Sequence, residues 1–310
     1  MSDKYRLITR ADLDGIACAV LLKELGMVEE IKFAHPKDMQ HGLITVTDKD
    51  IIANLPYNAA AHLCFDHHAS EGERNKEKPA NLILDTAAPS AAQVIFRHYG
   101  GREKFPNVSQ DMLDATDKID SADVSQSDIL DPKGWVLLGF IMDNRTGLGR
   151  YKEFRINNFQ LMYDLIEILR KNSDINDILR LQDVAERVRM YAEHSKLARH
   201  QIMKCAQVEK NLVILDYRHE KELYTTNRFT VYALFPKANM SMHILPGDDG
   251  KATVFAVGKS VLNRTSPLDV GALMLEYGGG GHKAVGTCQV EVAKSEQVRK
   301  ELIEKITAAG

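Results

Sequence analysis

Short apolar runs and helix-periodic segments alternate through the first half of the chain. Residues 5–9, 31–34, 44–47, 62–65 and 82–84 are brief and rich in β-formers and predict strands, whereas residues 16–25 repeat apolar positions at helical spacing and stop at Gly26. Ser90 is placed to cap a helix that runs to Tyr99 and ends at Gly100-Gly101. This alternation predicts βαβ units and a mostly parallel sheet. The segment opening at Ile51 reads as helix-like, and the charged stretch 71–78, which lacks an apolar period, reads as an exposed loop.

Residues 154–204 look helical almost throughout, with Leu161, Leu165, Ile168 and Leu169 in one periodic set and Leu179, Val184, Val188 and Tyr191 in another. Asn172-Ser173-Asp174 supplies the break between them. The apolar spacing is not sustained at a heptad repeat, so the pair predicts a connector rather than a coiled coil. Beyond it, residues 212–215, 230–235, 240–245, 252–257 and 287–292 read as strands, and residues 268–277 and 295–308 as helices. The predicted fold class is α/β: a mostly parallel-sheet domain over 1–150, a helical connector over 151–208, and a smaller α+β domain over 209–310.

Composition narrows the function classes. A chain of 310 residues with 44% hydrophobic and 27% charged positions is ordinary for a globular protein of two domains. The formal net charge of -3 argues against a long footprint on duplex DNA, which needs many basic side chains against phosphates. Cys18, Cys64, Cys205 and Cys288 show no Cys-x-x-Cys spacing, so neither a zinc ribbon nor a disulfide framework is indicated and a reducing cytoplasm is expected. There is no signal-like apolar segment after Met-Ser-Asp-Lys-Tyr-Arg and no run long enough to span a bilayer, so neither secretion nor membrane insertion is expected.

Two acidic clusters carry the chemistry. Asp12-Leu13-Asp14-Gly15 follows one apolar run and Asp66-His67-His68 follows another, which places both at strand C-terminal ends, where open α/β sheets put their ligands. Asp12 and Asp14 are two apart and face the same way on an extended segment. Carboxylates with imidazole, and no suitable thiolate, suit a hard-to-borderline divalent ion such as Mn²⁺, with Mg²⁺ or Co²⁺ as alternatives. Taken alone, an acidic pair at a strand-helix junction is often an N-cap. Further on, Gly278-Gly279-Gly280-Gly281-His282 sits between a helix-like and a strand-like segment, and its backbone amides could turn inward as a phosphate nest. Upstream, Ser260, Asn263 and Arg264 follow a strand and offer polar contacts, the arginine suited to bidentate phosphate recognition.

The joint occurrence of Asp12-Leu13-Asp14-Gly15, Asp66-His67-His68 and the stretch from Gly278 through His282-Lys283-Ala284-Val285-Gly286, in this order, resembles the DHH phosphoesterases with the DHH-associated C-terminal domain. The resemblance covers nearly the whole chain. It implies metal-dependent phosphoester or phosphoanhydride hydrolysis in a cleft between two domains, with two Mn²⁺ ions. Members of that family include nanoRNases, dinucleotide phosphodiesterases, single-strand exonucleases and exopolyphosphatases. The family's second motif aspartate falls on Asp50, with Asp48 as second choice. Its fourth falls on Asp117, with Asp120 in support and Asp143 as a further candidate. Many members have a histidine where this chain has Arg10, and a guanidinium cannot ligate a cation, so Arg10 would contact substrate phosphate or pair with a carboxylate.

On this reading Asp12, Asp14, Asp50, Asp66, His67 and Asp117 hold the ions. Asp66 and His68 act on the scissile phosphate or the leaving oxygen, and Arg10, Ser260, Asn263, Arg264, Gly279, Gly280, Gly281 and His282 hold the substrate. A single nest and no extended basic tract suit a short linear oligonucleotide, such as the 5′-phosphorylated dinucleotides pGpG or pApA. Exopolyphosphatase and cyclic-dinucleotide phosphodiesterase are the enzymatic alternatives, and a phospho-ligand sensor is the non-enzymatic one. No membrane partner is expected; a homodimer stays open.

Overall fold

A computed structural model describes residues 4–171, 174–247 and 250–310 of the chain. The expected break at Asn172-Ser173-Asp174 lies outside these at its first two positions, while Asp174 caps the helix Ile175–Arg180. The chain forms two compact units, Met1–Asp123 with Pro132–Met190, and Val124–Asp131 with Tyr191–Gly310. The segment expected as a connector is divided between them. The helices Asn158–Leu169 and Ile175–Arg180 belong to the first unit, and Gln182–Cys205 contributes to both.

The first unit is built on β1 (Tyr5–Arg10), β2 (Val28–Ala34), β3 (Asp50–Ala53), β4 (Leu63–Asp66) and β5 (Leu82–Leu84). All neighbours are parallel, in the order β2-β1-β3-β4-β5. The central strands are buried runs of Leu7, Ile8, Ile51, Ile52 and Phe65, as a sheet covered on both faces requires. One face packs Ile8, Ile52 and Cys64 with Met39 and Leu55. The helix Leu13–Glu24 buries a continuous set from Leu13 to Leu22 and ends before Gly26, whose φ is 69°.

Several expectations change. β3 is a strand, not a helix-like segment: the three-residue apolar run Ile51-Ile52-Ala53 has no readable period, and pairing with β1 and β4 decides it. Residues 44–47 are not a strand. The stretch read as a loop holds the helix Ala69–Arg74, because Glu71 is buried, accepts the Tyr57 amide at 3.0 Å and pairs with Arg74 at 2.7 Å.

The second unit contains β6 (Ala206–Glu209), β7 (Leu212–Asp216), β8 (Met240–Pro246), β9 (Ala252–Lys259), β10 (Gly280–His282) and β11 (Val285–Glu291), in the order β10-β11-β9-β8-β7-β6. Only β7 and β8 pair in parallel. The alternating Met240, Met242 and Ile244 meet Phe255, Val257 and the buried stripe Val298, Leu302 and Ile306 of the helix Ser295–Ala309. Residues 230–235 form a helical turn, Thr230–Leu234, rather than a strand. Gln126 and Ile129 join this unit, through bonds of 2.8 Å to the Ala233 carbonyl and 2.9 Å from Asn227. Among the described residues no helix is long and apolar enough to cross a membrane.

Candidate active site

Because all five strands of the first sheet run the same way, their C-terminal ends share one edge. The winding reverses between β1 and β3, which opens a crevice at that point. Asp12 and Asp14 follow β1, Asn54 follows β3, and Asp66 closes β4. Gly15 is required by close approach: a Cβ there would lie 1.8 Å from the Arg10 carbonyl oxygen, so only glycine lets the helix start against the strand end.

Each carboxylate is held by its surroundings. Asp12 caps the helix Leu13–Glu24, its Oδ1 accepting the Gly15 amide at 3.1 Å and the Asn54 side-chain amide at 3.3 Å; Oδ2 lies 3.0 Å from Arg10 Nε. Asp14 accepts the Ala91 and Ala92 amides at 3.0 and 2.8 Å and so sits on the N-terminus of the helix Ala91–His98, where the dipole favours negative charge. Ser90 caps that helix as its sequence predicts. Asp66 Oδ1 accepts the His67 amide at 2.8 Å and lies 2.7 Å from His68 Nδ1. The rings of His67 and His68 lie 4.4 Å apart.

His67 is oriented as metal-ligating imidazoles are. Its Nδ1 lies 3.2 Å from the Ala88 carbonyl, which can only accept, so Nδ1 carries a proton and Nε2 is the nitrogen that presents a lone pair when the ring is neutral. That Nε2 is 2.8 Å from Asp120 Oδ2, yet it has no aligned hydrogen bond. Asp14, His67 and Asp120 each offer a ligand atom within 4.8 Å of the others, and so do Asp66, His67 and His68.

Three buried lone-pair atoms around this crevice, Asp12 Oδ2, Asn54 Oδ1 and His67 Nε2, have no hydrogen-bond partner. Beside them Asp12, Asp14, Thr116, Asp120, Asp143 and Arg145 line a cavity of about 10 Å³, room for about one water-sized group. Converging oxygens and one imidazole nitrogen, short of protons, fit a divalent cation. Without one, the charges burden each other. Burial, and then Asp120, push the Asp14 carboxyl up to about 7. Burial opposes a charged His67, but contact with Asp120 and the charge of Asp14 raise the ring to about 9. Burial likewise works against an ionised Asp120, and its contact with His67 outweighs this and holds it below the usual carboxylate range.

Not every expected residue comes to this crevice. Asp50 opens β3 at the far end of the sheet, where Arg6 binds it at 2.7 and 3.0 Å and the Thr47 amide donates at 2.7 Å. The side chain at the near end of β3 is Asn54, in left-handed backbone with φ 57°. Asp48 lies in the same far-end loop. Asp117 is held by Ser90 Oγ at 2.5 Å, and Asp120, one helical turn on, reaches His67 instead. Asp143 accepts Arg145 Nε at 2.8 Å beside the cavity. Asn54, Arg145 and the Ala88 carbonyl escaped the sequence reading; only Asn54 left a signal there, a polar residue closing an apolar run.

In the second unit the glycine run is a close-packed hairpin rather than an open loop. Gly280 and Gly281 pair with Thr287 and Gly286, and a Cβ on Gly271 would lie 2.9 Å from the Gly281 carbonyl group, so the helix Val270–Leu275 lies directly on β10. Gly279 would clash with the Thr287 carbonyl at 2.1 Å if it carried a Cβ. His282 is exposed at the hairpin. Ser260 Oγ is spent on the Leu262 and Asn263 amides at 3.2 and 3.0 Å, Asn263 donates to the Lys237 carbonyl at 3.0 Å, and Arg264 is exposed with Nε on the Val261 carbonyl at 3.0 Å.

Among solved structures, a pGpG-specific phosphodiesterase, PggH from Vibrio cholerae, is 48% identical and matches with a TM-score of 0.87 over 99% of this chain and 100% of its own. The chain belongs to the DHH phosphoesterase family. At the level of fold alone, this DHH chain is also similar to CDC45 from Entamoeba histolytica, with 9% identity, TM-score 0.53, and coverage of 98% of this chain and 95% of that one. It is similar too to RecJ in complex with Mn²⁺ from Thermus thermophilus, with 13% identity, TM-score 0.50, and coverage of 98% of this chain and 52% of that one. No family model matches the chain, and no curated protein does.

Proposed function

We propose that this protein is a metal-dependent phosphodiesterase that hydrolyses short linear 5′-phosphorylated dinucleotides, pGpG first among them, to mononucleotides. The observation that carries the reading is the 48% identity with the pGpG-specific enzyme along the whole chain. The centre formed by Asp14, His67 and Asp120 supplies the chemistry that such an activity needs. A divalent cation there, with Mn²⁺ the proposed ion, would lower the pKa of water and neutralise developing charge on the phosphoryl oxygens.

The side chains do the rest. Asp14, His67 and Asp120 would hold the ion, with the helix Ala91–His98 and the Ala88 carbonyl fixing the first two of them. Water attacks phosphorus and gives its proton to solvent, one P–O bond breaks, and the leaving nucleoside oxygen takes a proton. His68 is the proposed source of that proton: Asp66 fixes its Nδ1 at 2.7 Å and its side chain is partly exposed. Arg10 is the proposed contact to a non-bridging phosphate oxygen. In the second unit Arg264 and His282 are the proposed phosphate contacts, and β10 the proposed support for them.

The test is a Mn²⁺-supplemented panel of pGpG, pApA, cyclic dinucleotides, longer RNA and polyphosphate. Fastest conversion of pGpG to mononucleotide is the expected result. Preferential cleavage of polyphosphate or of a cyclic dinucleotide would replace the reading, and tight pGpG binding with no product at any metal concentration would make the protein a sensor.

A further inference from the structure

The groups facing the crevice divide into two unequal halves. On one side Asp14, His67 and Asp120 bring three ligand atoms within 4.8 Å, with the His67 lone pair unpaired. On the other stand Asp12 and the group Asp66, His67 and His68, which shares His67 with the first and in which His68 Nδ1 and Asp66 Oδ1 are spent on each other at 2.7 Å. Asp12 Oδ1 is committed to the Gly15 and Asn54 N–H groups at 3.1 and 3.3 Å, and the Arg10 guanidinium covers its Oδ2 at 3.0 Å. Among the described residues, no converging group of three His, Cys, Asp or Glu ligands includes Asp12.

This asymmetry bears on how many ions fit. A two-ion phosphoesterase holds its ions about 3.5–4 Å apart and needs ligands on both sides. Here the second side offers Asp12 Oδ2, already paired with a fixed cation at 3.0 Å, and an Asp66–His68 pair whose facing atoms are bonded to each other. Arginine cannot ligate and does not deprotonate, so an ion next to Asp12 Oδ2 would meet a like charge at close range. Arg10 is also suited to stand in for that ion. Its side chain is 25% exposed, one nitrogen faces Asp12, and a planar guanidinium has other N–H groups with which to bind phosphate.

We propose that this centre takes one divalent ion per chain, on Asp14, His67 and Asp120, and that the Arg10 guanidinium, anchored by Asp12, is the second positive charge at the scissile phosphate. The proposal rests on the phosphodiesterase reading for the identity of the substrate, but the ion count does not depend on it. Asn54 takes part by holding Asp12 Oδ1, which keeps Oδ2 turned to Arg10.

The experiment loads the full chain with Mn²⁺, removes excess ion by gel filtration, and measures manganese per chain by elemental analysis, with electron paramagnetic resonance on the same sample. One ion per chain and an uncoupled mononuclear spectrum are expected; two ions with an exchange-coupled spectrum overturn the proposal. Arg10→His, which exchanges a fixed cation for a possible ligand, should raise the count to two, and Arg10→Lys, which keeps charge without ligation, should leave it at one. A count that stays at one in Arg10→His, with a melting curve like that of the native protein, removes Arg10 from the account. Should the native chain hold one ion yet fail to cleave any dinucleotide, the substrate reading fails while the single-ion centre stands.

Discussion

His67 Nε2 lies 2.8 Å from Asp120 Oδ2. The Ala88 carbonyl at 3.2 Å has already taken the other ring nitrogen's proton as a hydrogen bond. Two lone-pair carriers held this close need a cation or a proton between them. The helix that carries Asp120 thereby brings a third ligand-type side chain beside Asp14 and His67, which follow β1 and β4.

The two aspartates of that helix should separate cleanly. Outer partners of a metal ligand alone are worth about 10–100-fold in affinity, so Asp120→Asn is expected to weaken Mn²⁺ binding by at least about 100-fold and to lose turnover in proportion. Asp117→Asn touches Ser90 and should cost about 1 kcal/mol of stability with metal binding kept. Titration calorimetry with Mn²⁺ on both variants decides; equal losses would return Asp117 to the ligand set.

Asp50 should behave as a structural residue. Arg6 and Thr47 satisfy it at the far end of the sheet, so Asp50→Asn is expected to lower unfolding stability by about 1–3 kcal/mol and to leave manganese content unchanged. Burial disfavours its charge, but the Arg6 and Thr47 contacts prevail and set its carboxyl below the ordinary range. The stability it contributes is therefore present at neutral pH and is lost as pH falls through that lowered value. Denaturant melts of native and variant protein should converge in acid; a variant depleted of metal would show that Asp50 reaches the ion.

Metal uptake should climb with pH. In the metal-free centre the Asp14 carboxyl titrates at about 7 and the His67 ring at about 9, and both must give up protons to bind an ion. Mn²⁺ affinity is expected to rise steeply with pH up to about 7, less steeply up to about 9, and to level off above that, with proton release on binding. Calorimetry in buffers of different ionisation enthalpy measures that release. Constant affinity with no proton released would mean that the ion sits elsewhere.

Gly271→Ala tests the hairpin. The new Cβ would press on Gly281 and on His282, whose backbone carbon is 3.2 Å away, and overpacking of this kind costs about 1–3 kcal/mol. If β10 supports substrate contacts, KM for the dinucleotide should rise several-fold while bound manganese stays the same. A lowered melting temperature with unchanged KM would limit the hairpin to a packing role.

Local physics was legible along the chain. The apolar runs of β1, β4 and β5, the Ser90 cap, the stop at Gly26 and the period-two alternation of β8 and β9 each follow from contacts within a few residues, and they arise as read. The placing of Asp12, Asp14, Asp66 and His67 at strand ends was legible for the same reason, since each cluster directly follows its own strand. The long-range choices were not. A run of three apolar residues does not declare itself as strand or helix, so β3 waited on its neighbours β1 and β4, and its parallel direction then put Asn54 at the crevice and Asp50 at the far end. Asp117 and Asp120 are one turn apart on similar faces of one helix, so spacing could not choose between them; the packing of that helix beside His67 did. The glycine run looked like an anion nest from composition, whereas antiparallel pairing with β11 under the helix Val270–Leu275 makes it an edge strand. In each case the sequence determined what a residue could do, and the direction and register of a distant partner decided where it would do it.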